Sequence, residues 1–361
     1  MKQFGVMIKP VGSVCNMRCR YCYYISNNMS HHHRMDEETL GKAIVNTISS
    51  NSGPVVSFVW HGGEPTLAGL EFYRKAVEIQ KKHLPKGWQC WNNLQTNGLL
   101  LDEQWCKFVA QEHFDVGLSI DGTELIHDRY RHDAEGNPTY ERIASNVRRL
   151  QKHGVQPDLL CTVTSDTALH PQEVYETLAE FNTGWIQFIP IVNRSEDGYT
   201  PESVSPEQYG RFLCKVFDCW VSNIGKCDVQ LFMEMLNIYA GGQPSLCWLA
   251  ETCGVIPVIE SDGMVYSCDH FVNEDHILGS VMEDRLDHLM TGKLQTDFAW
   301  DKKEAVCEDC RNCPWWFICH GACPKDRVAG KYYLCEGLKM LFEHADVPLR
   351  HLVQQMRKGS S

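Results

Sequence analysis

The chain has 361 residues, of which 43% are hydrophobic, and its formal net charge is −12. The hydrophobic content suffices for a folded core, and the negative charge excludes a general nucleic-acid binder, which needs clustered Lys and Arg against phosphates. No stretch approaches the roughly 18 to 20 apolar residues of a membrane span, and the N-terminus has no long apolar signal segment. We therefore expect a globular, cytoplasmic protein that binds neither nucleic acid nor membranes.

Apolar segments alternate with amphipathic helices along the first two-thirds of the chain. The predicted strands lie at 5–11, 54–61, 89–98, 115–122, 158–166 and 185–192. The predicted helices lie at 36–50, 70–83, 102–113, 139–154, 170–181 and 205–224. This alternation is typical of a parallel sheet connected by crossover helices. Six such units fall short of the eight of a closed barrel, so we predict an α/β fold with an open or partial (β/α)6 barrel.

Polar and glycine-rich motifs follow four of these strands in chain order. They are "CNMRCRYC" after the first, "HGGEP" after the second, "QTNG" after the third and "SIDG" after the fourth. Ligand sites in parallel α/β folds gather beyond the carboxyl ends of the strands. The four loops are therefore predicted to form one site.

The eighteen cysteines are unevenly distributed. In a reducing cytosol such a number indicates metal binding rather than a disulfide framework. Three fall in residues 15–22, five are scattered singly from Cys90 to Cys219, and ten lie between Cys227 and Cys335. This distribution predicts a scaffold domain at 1–235 and a small cysteine-rich domain at 236–361.

The first cysteine loop offers three thiols, Cys15, Cys19 and Cys22. Three thiolates can hold three irons of a 4Fe-4S cluster and leave the fourth iron open to a non-protein ligand. A structural zinc completed by a distant histidine is the alternative. The spacing alone leaves both open.

The loop and the glycine motif together resemble the radical S-adenosylmethionine (SAM) superfamily. The resemblance is carried by C-x3-C-x2-C with Tyr21 before the third cysteine, and by Gly-Gly-Glu-Pro at 62–65. It implies that the open iron binds the amino and carboxylate groups of the methionine part of S-adenosylmethionine. Reductive cleavage then yields a 5′-deoxyadenosyl radical, which takes a hydrogen atom from the substrate.

The same resemblance assigns further residues to the cofactor. They are Tyr21, Gly62, Gly63, Glu64, Ser119, Arg131 and Val192. The backbone near Tyr21 is expected at the adenine, and Gly63 lets the chain pass close to the methionine amino group because no side chain obstructs it. Arg131 suits a carboxylate, which guanidinium binds bidentately. In the alternative reading Ser119 only shapes a turn and Arg131 is a surface charge, with Arg129 its rival.

The C-terminal cysteines resemble the SPASM domain of radical enzymes that modify peptides and proteins. Cys253-x9-Gly263-x4-Cys268 is followed by Cys310-x2-Cys313-x5-Cys319-x3-Cys323 and by Cys335, and Cys247 completes a count of eight. The resemblance implies two fully ligated 4Fe-4S clusters, making three in all with the radical cluster. The first auxiliary cluster would use Cys247, Cys253, Cys268 and Cys323, and the second Cys310, Cys313, Cys319 and Cys335. Cys307 is an alternative to Cys310, and zinc is the alternative metal.

The whole chain resembles the anaerobic sulfatase-maturating enzymes. Matching segments are "MIKPVGSVCN", "WHGGEPTL", "LQTNG", "GLSIDG", "IQFIPIV", "GMVYSCDHF" and "CHGACPK". The resemblance implies oxidation of an active-site cysteine or serine to Cα-formylglycine. The partner is an unfolded or nascent sulfatase segment carrying Cys/Ser-x-Pro/Ala-x-Arg. A low-potential donor such as flavodoxin or ferredoxin supplies electrons.

The family resemblance makes Asp269 the base that takes a proton from the substrate, while the first auxiliary cluster takes the electron. A carboxylate close to the reacting group is a reasonable proton acceptor, although a turn aspartate bonded to local backbone is the alternative. Tyr24 and His61 are candidate substrate contacts, with an aromatic core residue the alternative for Tyr24.

Two other functions are weighed against this one. Other SPASM enzymes cross-link or epimerise ribosomal peptides and often carry an N-terminal peptide-recognition domain, for which a first cluster cysteine at residue 15 leaves no room. An electron-transfer protein with three clusters does not explain an open-iron site beside Gly62, Gly63 and Glu64.

Overall fold

The computed structural model describes residues 3–24 and 33–359. Its strands are β1 (Gly5–Ile8), β2 (Val55–Trp60), β3 (Gln89–Thr96), β4 (Asp115–Ser119), β5 (Asp158–Val163), β6 (Trp185–Pro190), β7 (Arg194–Ser195), β8 (Gly198–Tyr199), β9 (Asp228–Val229), β10 (Val258–Ile259), β11 (Met264–Tyr266), β12 (Ile277–Ser280), β13 (Arg327–Val328) and β14 (Lys331–Tyr332). Its helices are α1 (Glu37–Ser50), α2 (Leu70–His83), α3 (Glu103–Gln111), α4 (Glu124–Tyr130), α5 (Tyr140–Lys152), α6 (Pro171–Ala179), α7 (Pro206–Val221), α8 (Gln230–Tyr239), α9 (Leu286–Thr291), α10 (Lys293–Glu304), α11 (Glu308–Arg311), α12 (Trp316–Cys319) and α13 (Cys335–Gly359).

The predicted strand–helix alternation is confirmed. The six predicted strands are β1 to β6, and the six predicted helices are α1, α2, α3, α5, α6 and α7. Local signals begin these helices as expected: the Asp36 side chain accepts a hydrogen bond from the backbone N–H of Thr39, and Ser205 and Gln208 form a reciprocal capping box at α7. The fold is α/β with a mostly parallel central sheet, as predicted.

The chain divides into two compact units, of which the first comprises residues 1–119, 130–157 and 254–299. Its strands follow the order β12, β11, β10, β1, β2, β3, β4. The five strands from β10 to β4 run parallel, and β11 and β12 are antiparallel additions. The strands β10, β11 and β12 come from residues that the sequence assigned to the second domain, and the boundary at 235/236 stays a prediction.

The second unit comprises residues 120–129, 158–253 and 300–361. It holds the parallel strands β5, β6 and β9, and α13 packs against α7 and α8. Gly210 and Gly337 allow α7 and α13 to approach closely, because a Cβ on Gly337 would lie 2.2 Å from the carbonyl oxygen of Pro206. The short helices α11 and α12 and the hairpin β13–β14 complete the cysteine-rich part of this unit.

No helix in the described part of the chain combines the length and apolarity needed to cross a bilayer.

Candidate active site

Three charged or titratable side chains lie at the carboxyl ends of neighbouring parallel strands in the first unit. Lys9 follows β1, His61 follows β2 and Glu260 follows β10. Because parallel strands end at the same edge of a sheet, these residues share that edge, where ligand sites of α/β folds lie. Lys9 and Glu260 are fully buried.

Lys9 is the centre of this cluster. Its ammonium lies 2.5 Å from Oδ1 of Asp269 and 3.6 Å from Oε1 of Glu260. It also lies 3.7 Å from the centre of the Tyr24 ring, in cation–π contact. A buried charge is tolerated only when paired, and Lys9 has two carboxylates to balance it.

Asp269 begins a short 3-10 turn, Asp269–Phe271, immediately after Cys268. The Tyr23 hydroxyl donates a 2.6 Å hydrogen bond to its Oδ2. Burial on its own raises the pKa of Asp269, but the charge of Lys9, with His61 and His270, outweighs burial and holds that pKa well below its usual range. The side chain keeps 15% of its surface exposed. Asp269 is therefore an ionised carboxylate open to a neighbouring group, and its contacts with Lys9 and Tyr23 differ from those of a simple turn aspartate.

The two predicted substrate contacts lie in the same cluster. The Tyr24 hydroxyl donates a 2.6 Å hydrogen bond to Oε1 of Glu260, and Tyr24 is only 3% exposed. This arrangement agrees with the alternative, a tyrosine of the core. Burial lowers the pKa of His61, against the opposing charge of Asp269. Substrate binding by either residue stays a prediction.

Sequence reasoning missed Lys9, Glu260 and Tyr23. Each left a signal, because Lys9 in "MIKP" and Glu260 in "VIES" are charged residues at the ends of apolar strands. A charged residue is almost never fully buried without a partner, so Lys9 and Glu260 were candidates for a buried ion pair. Tyr23 left no signal beyond its position next to Cys22.

The first cysteine loop lies next to the loop after β3. The backbone N–H of Met17 donates to Sγ of Cys15 at 3.3 Å, and the Asn97 side chain does so at 3.7 Å. Burial, with smaller contributions from the nearby Glu64, Cys19 and Cys22, raises the pKa of the Cys15 thiol to about 12. All eighteen cysteines lie in the described residues, and none of them forms a disulfide there.

The Gly-Gly-Glu segment packs directly on the residues that lead into this loop. Gly63 donates a backbone hydrogen bond to Gly12 at 2.7 Å, and Glu64 donates one to Val14 at 2.8 Å. A Cβ on Gly63 would lie 2.2 Å from the carbonyl oxygen of Val14 and 2.6 Å from the carbonyl carbon of Ser13. The close neighbour that requires a glycine at 63 is thus the chain itself.

The Glu64 side chain braces two loops. It is fully buried, its Oε1 accepts from Thr66 and from the Thr96 hydroxyl, and its Oε2 accepts from the backbone N–H of Asn97 at 2.7 Å. Burial raises its pKa, which these hydrogen bonds counteract. A cofactor contact at Glu64 stays a prediction.

Tyr21 and Arg131, both predicted to bind the cofactor, contact each other. Arg131 is 6% exposed and donates a 2.9 Å hydrogen bond to the Tyr21 hydroxyl. Arg129, its rival, is half exposed and forms an ion pair with Asp166 at 2.6 Å. The description as a surface charge therefore suits Arg129 and not Arg131.

The remaining predicted cofactor residues lie at strand ends. Ser119 is the last residue of β4 and is half-buried. Val192 lies just beyond β6 in the second unit and is buried. Their contacts with S-adenosylmethionine stay predictions, as do those of the glycine segment.

The C-terminal cysteines form two neighbourhoods in the second unit. Cys247, Cys253 and Cys323 influence one another electrostatically. Cys310, whose pKa is raised by burial to about 12, has Cys335 and Cys319 near it. The ligand sets themselves stay predictions, and Cys268, the fourth residue predicted for the first set, precedes Asp269 in the first unit.

Cys307 stays open as an alternative ligand, since its Sγ lies 3.7 Å from that of Cys310. Within residues 3–24 and 33–359, no three His, Cys, Asp or Glu side chains are grouped closely enough to hold a single metal ion. Cysteine thiols are the ligands that iron–sulfur clusters use, and each iron of such a cluster binds its own cysteine. Cluster number and ligation stay predictions.

Comparisons with known proteins define the class first. The profile of the Radical SAM superfamily matches residues 10–182, and that of SPASM, an iron–sulfur cluster-binding domain, matches residues 247–314. Together with the fold, these matches define a radical SAM enzyme with a SPASM extension.

The particular family follows from full-length relatives. The serine-type anaerobic sulfatase-maturating enzyme of Bacteroides thetaiotaomicron is 38% identical over 95% of this chain and 89% of its own length. The cysteine-type enzyme of Clostridium perfringens is 34% identical over 96% of this chain and 97% of its own. A solved structure, native anSMEcpe with bound AdoMet and Cp18Cys peptide, has a TM-score of 0.92 at 34% identity and covers 98% of this chain and 99% of that one. The chain belongs to the family of anaerobic sulfatase-maturating enzymes, which confirms the resemblance seen in the sequence.

Proposed function

We propose that this enzyme oxidises an active-site cysteine or serine of a sulfatase to Cα-formylglycine. The target is an unfolded or nascent segment carrying Cys/Ser-x-Pro/Ala-x-Arg, in keeping with relatives of both the serine and the cysteine type. The observation that carries the proposal is Asp269, a carboxylate held ionised by Lys9 at 2.5 Å and placed directly after a cysteine of the SPASM pattern.

The cofactors of this proposal are S-adenosylmethionine and three 4Fe-4S clusters. Cys15, Cys19 and Cys22 would hold the radical cluster, and the eight SPASM cysteines would hold the two auxiliary clusters. When bound, these groups supply abstraction of a hydrogen atom from the target Cβ and take up one further electron. A low-potential donor such as flavodoxin or ferredoxin returns electrons to the radical cluster, and we place the enzyme in the cytoplasm.

Asp269 completes the chemistry by accepting a proton. The target loses one hydrogen atom from Cβ, one electron, and the proton on its sulfur or oxygen, and its C–S or C–O bond becomes double. A serine target thereby becomes the aldehyde directly, whereas a cysteine target becomes a thioaldehyde, which water converts to the same aldehyde with release of hydrogen sulfide. Asp269 takes the proton from the sulfur or oxygen, and Lys9 keeps the carboxylate ionised until then. The Tyr23 hydroxyl fixes the orientation of the carboxylate through Oδ2. A positioned base of this kind contributes about 10²- to 10⁴-fold to rate.

The test uses short sulfatase peptides with cysteine or serine at the target position. Anaerobically reconstituted enzyme, S-adenosylmethionine and a reductant are incubated with each peptide, and the products are analysed by mass spectrometry and by reaction with a hydrazide. We expect serine to lose two hydrogens and cysteine to become the same aldehyde, while a peptide with alanine at that position stays unchanged. Loss of two hydrogens without hydrazide reactivity would indicate a cross-link and would overturn the proposal in favour of another peptide maturase.

A further inference from the structure

Two cations, one fully buried and one half-buried, lie among the cysteines of the second unit, and the proposed reaction does not use them. The first is Lys302, in α10, which is fully buried. Its ammonium donates to the carbonyl oxygens of Cys247 at 2.9 Å and Trp248 at 3.0 Å, and also to that of Ala250. Lys302 thereby holds the loop that leads from Cys247 toward Cys253.

The second cation is Arg327, at the start of β13. Its guanidinium donates to the carbonyls of Gly321 at 2.8 Å, Ala322 at 3.1 Å and His320 at 3.3 Å. These three residues have positive φ angles of 44°, 75° and 52° in chain order, a conformation that costs free energy for His and Ala. The strained segment is the link between Cys319 and Cys323, so Arg327 fixes the spacing of two cysteines.

Lys302 and Arg327 are also joined to each other, because Arg327 donates to the carbonyl of Lys302 at 2.7 Å. Within residues 3–24 and 33–359, neither side chain has a carboxylate at ion-pair distance; their hydrogen-bond acceptors there are neutral carbonyls. Removing a charge from water costs several kcal/mol unless an opposite charge compensates it. Within the described residues the chain supplies these two cations with carbonyl acceptors but with no carboxylate as a counter-charge.

Both cations contact the backbone of the cysteine loops, since Lys302 donates to the carbonyl of Cys247 and Arg327 donates to the carbonyls between Cys319 and Cys323. Burial lowers the pKa of Lys302, and Cys253 and Cys247 act in the opposite direction. Burial likewise lowers the pKa of Arg327, against Cys310 and Cys253. Arg327 thus has a neighbour from each of the two predicted auxiliary sets.

We propose that Lys302 and Arg327 are the counter-charges of the two auxiliary clusters and raise their reduction potentials. The proposal rests on the cluster assignment in the proposed function. A cluster ligated by four thiolates is negative and becomes more negative on reduction, so a fixed cation nearby favours the reduced form. Both residues are positioning residues, and their role makes the auxiliary clusters better electron acceptors.

The test measures potentials directly. The chain carrying Cys15→Ala, Cys19→Ala and Cys22→Ala, which lacks the radical cluster, is reconstituted anaerobically and titrated under electron paramagnetic resonance. In this background Lys302→Gln keeps a donor for the loop carbonyls but removes the charge. We expect the equilibrium constant for reduction of one auxiliary cluster to fall at least tenfold. This corresponds to a fall of about 59 mV in the potential of that cluster for one electron. Arg327→Gln is expected to lower both potentials.

The matched control is Lys303→Gln. Lys303 is the next residue on α10 and carries the same charge, but its side chain is 42% exposed and is paired with Glu251 at 2.6 Å. It should leave both potentials unchanged. Lys302→Arg retains the charge and should keep the potentials of the parent. If Lys302→Gln loses a cluster that Lys302→Arg retains, the cluster requires the charge and the proposal is supported.

Iron content distinguishes a failure of the counter-charge role from a failure of the cluster assignment in the proposed function. The parent background should contain about eight irons per chain, two clusters of four. Far less iron would defeat the cluster assignment and the counter-charge role together. Full iron content with unchanged potentials in Lys302→Gln and Arg327→Gln would overturn the counter-charge role alone, as would equal loss of a cluster from Lys302→Gln and Lys302→Arg.

Discussion

The ammonium of Lys9 lies between two carboxylates, 2.5 Å from Asp269 and 3.6 Å from Glu260. Two consecutive tyrosines complete the arrangement, because Tyr23 donates to Asp269 and Tyr24 donates to Glu260, each at 2.6 Å. Glu260 is fully enclosed, whereas Asp269 retains 15% of its surface. Of the two carboxylates that share Lys9, only Asp269 is open to another molecule, which distinguishes a candidate base from a structural anion.

Replacing Asp269 with Asn removes the proton acceptor and keeps the shape of the side chain. We expect formylglycine formation to fall by about 10²-fold or more, the contribution of a positioned base, while cleavage of S-adenosylmethionine continues. The measurement is the ratio of peptide aldehyde to 5′-deoxyadenosine. Asp275→Asn, at an exposed aspartate a few residues away, should leave that ratio unchanged. Full product formation by Asp269→Asn would eliminate Asp269 as the essential base.

Lys9→Met tests whether the cation keeps Asp269 ionised. Without Lys9, burial dominates and raises the pKa of Asp269. The side chain is then protonated and can no longer accept a proton from the substrate. We expect at least about a tenfold lower ratio of aldehyde to cleaved cofactor. Two carboxylates also lose their shared partner, which destabilises the fold by about 3–5 kcal/mol. Lys42→Met, on the exposed face of α1, is the control for both the product ratio and the denaturant midpoint.

The alternation of apolar strands and amphipathic helices was sufficient to predict β1 to β6 and the helices between them, because each unit carries its own periodicity. The strands β10 to β12 escaped prediction because they are two to four residues long and pair in sequence onto the edge of the sheet that β1 offers, β10 on β1, β11 on β10 and β12 on β11. For the same reason Glu260 could not be placed next to Lys9 from the sequence, since 250 residues separate partners that meet only through the pairing of β10 with β1.

The glycine motif shows a different limit of the sequence. Motif resemblance identified Gly62, Gly63 and Glu64 as a functional segment, and the structure places this segment against residues 12–14. In the structure these residues are held by contacts within the chain and not by the approach to a cofactor that the motif suggested. The carbonyl of Val14 leaves room only for a glycine at 63, and Thr66, Thr96 and Asn97 hold the Glu64 side chain. Such reasons depend on atomic contacts between distant loops, which a motif does not encode.

The two tyrosines should respond differently to loss of the hydroxyl. Tyr24→Phe leaves an oxygen of the enclosed Glu260 without its donor, and we expect a loss of about 1–3 kcal/mol in the free energy of unfolding. Tyr23 is 37% exposed, so Tyr23→Phe should change stability less and instead lower the ratio of aldehyde to cleaved cofactor several-fold. Denaturant unfolding and the peptide assay are measured on both variants. The reverse pattern would contradict the assignment of Tyr23 to the base and of Tyr24 to the core.

Gly63→Ala should remove the radical cluster selectively. The added methyl would lie 2.2 Å from the backbone oxygen of Val14, so residues 13 and 14 must move, and Cys15 follows them directly. We expect iron to fall from about twelve to about eight per chain, with loss of cofactor cleavage and with the auxiliary cluster signals retained. Gly41→Ala is the matched control, because its Cβ meets nothing within 4 Å in α1, and it should keep both iron and activity. Retention of all the iron by Gly63→Ala would show that the cysteine loop does not depend on this contact.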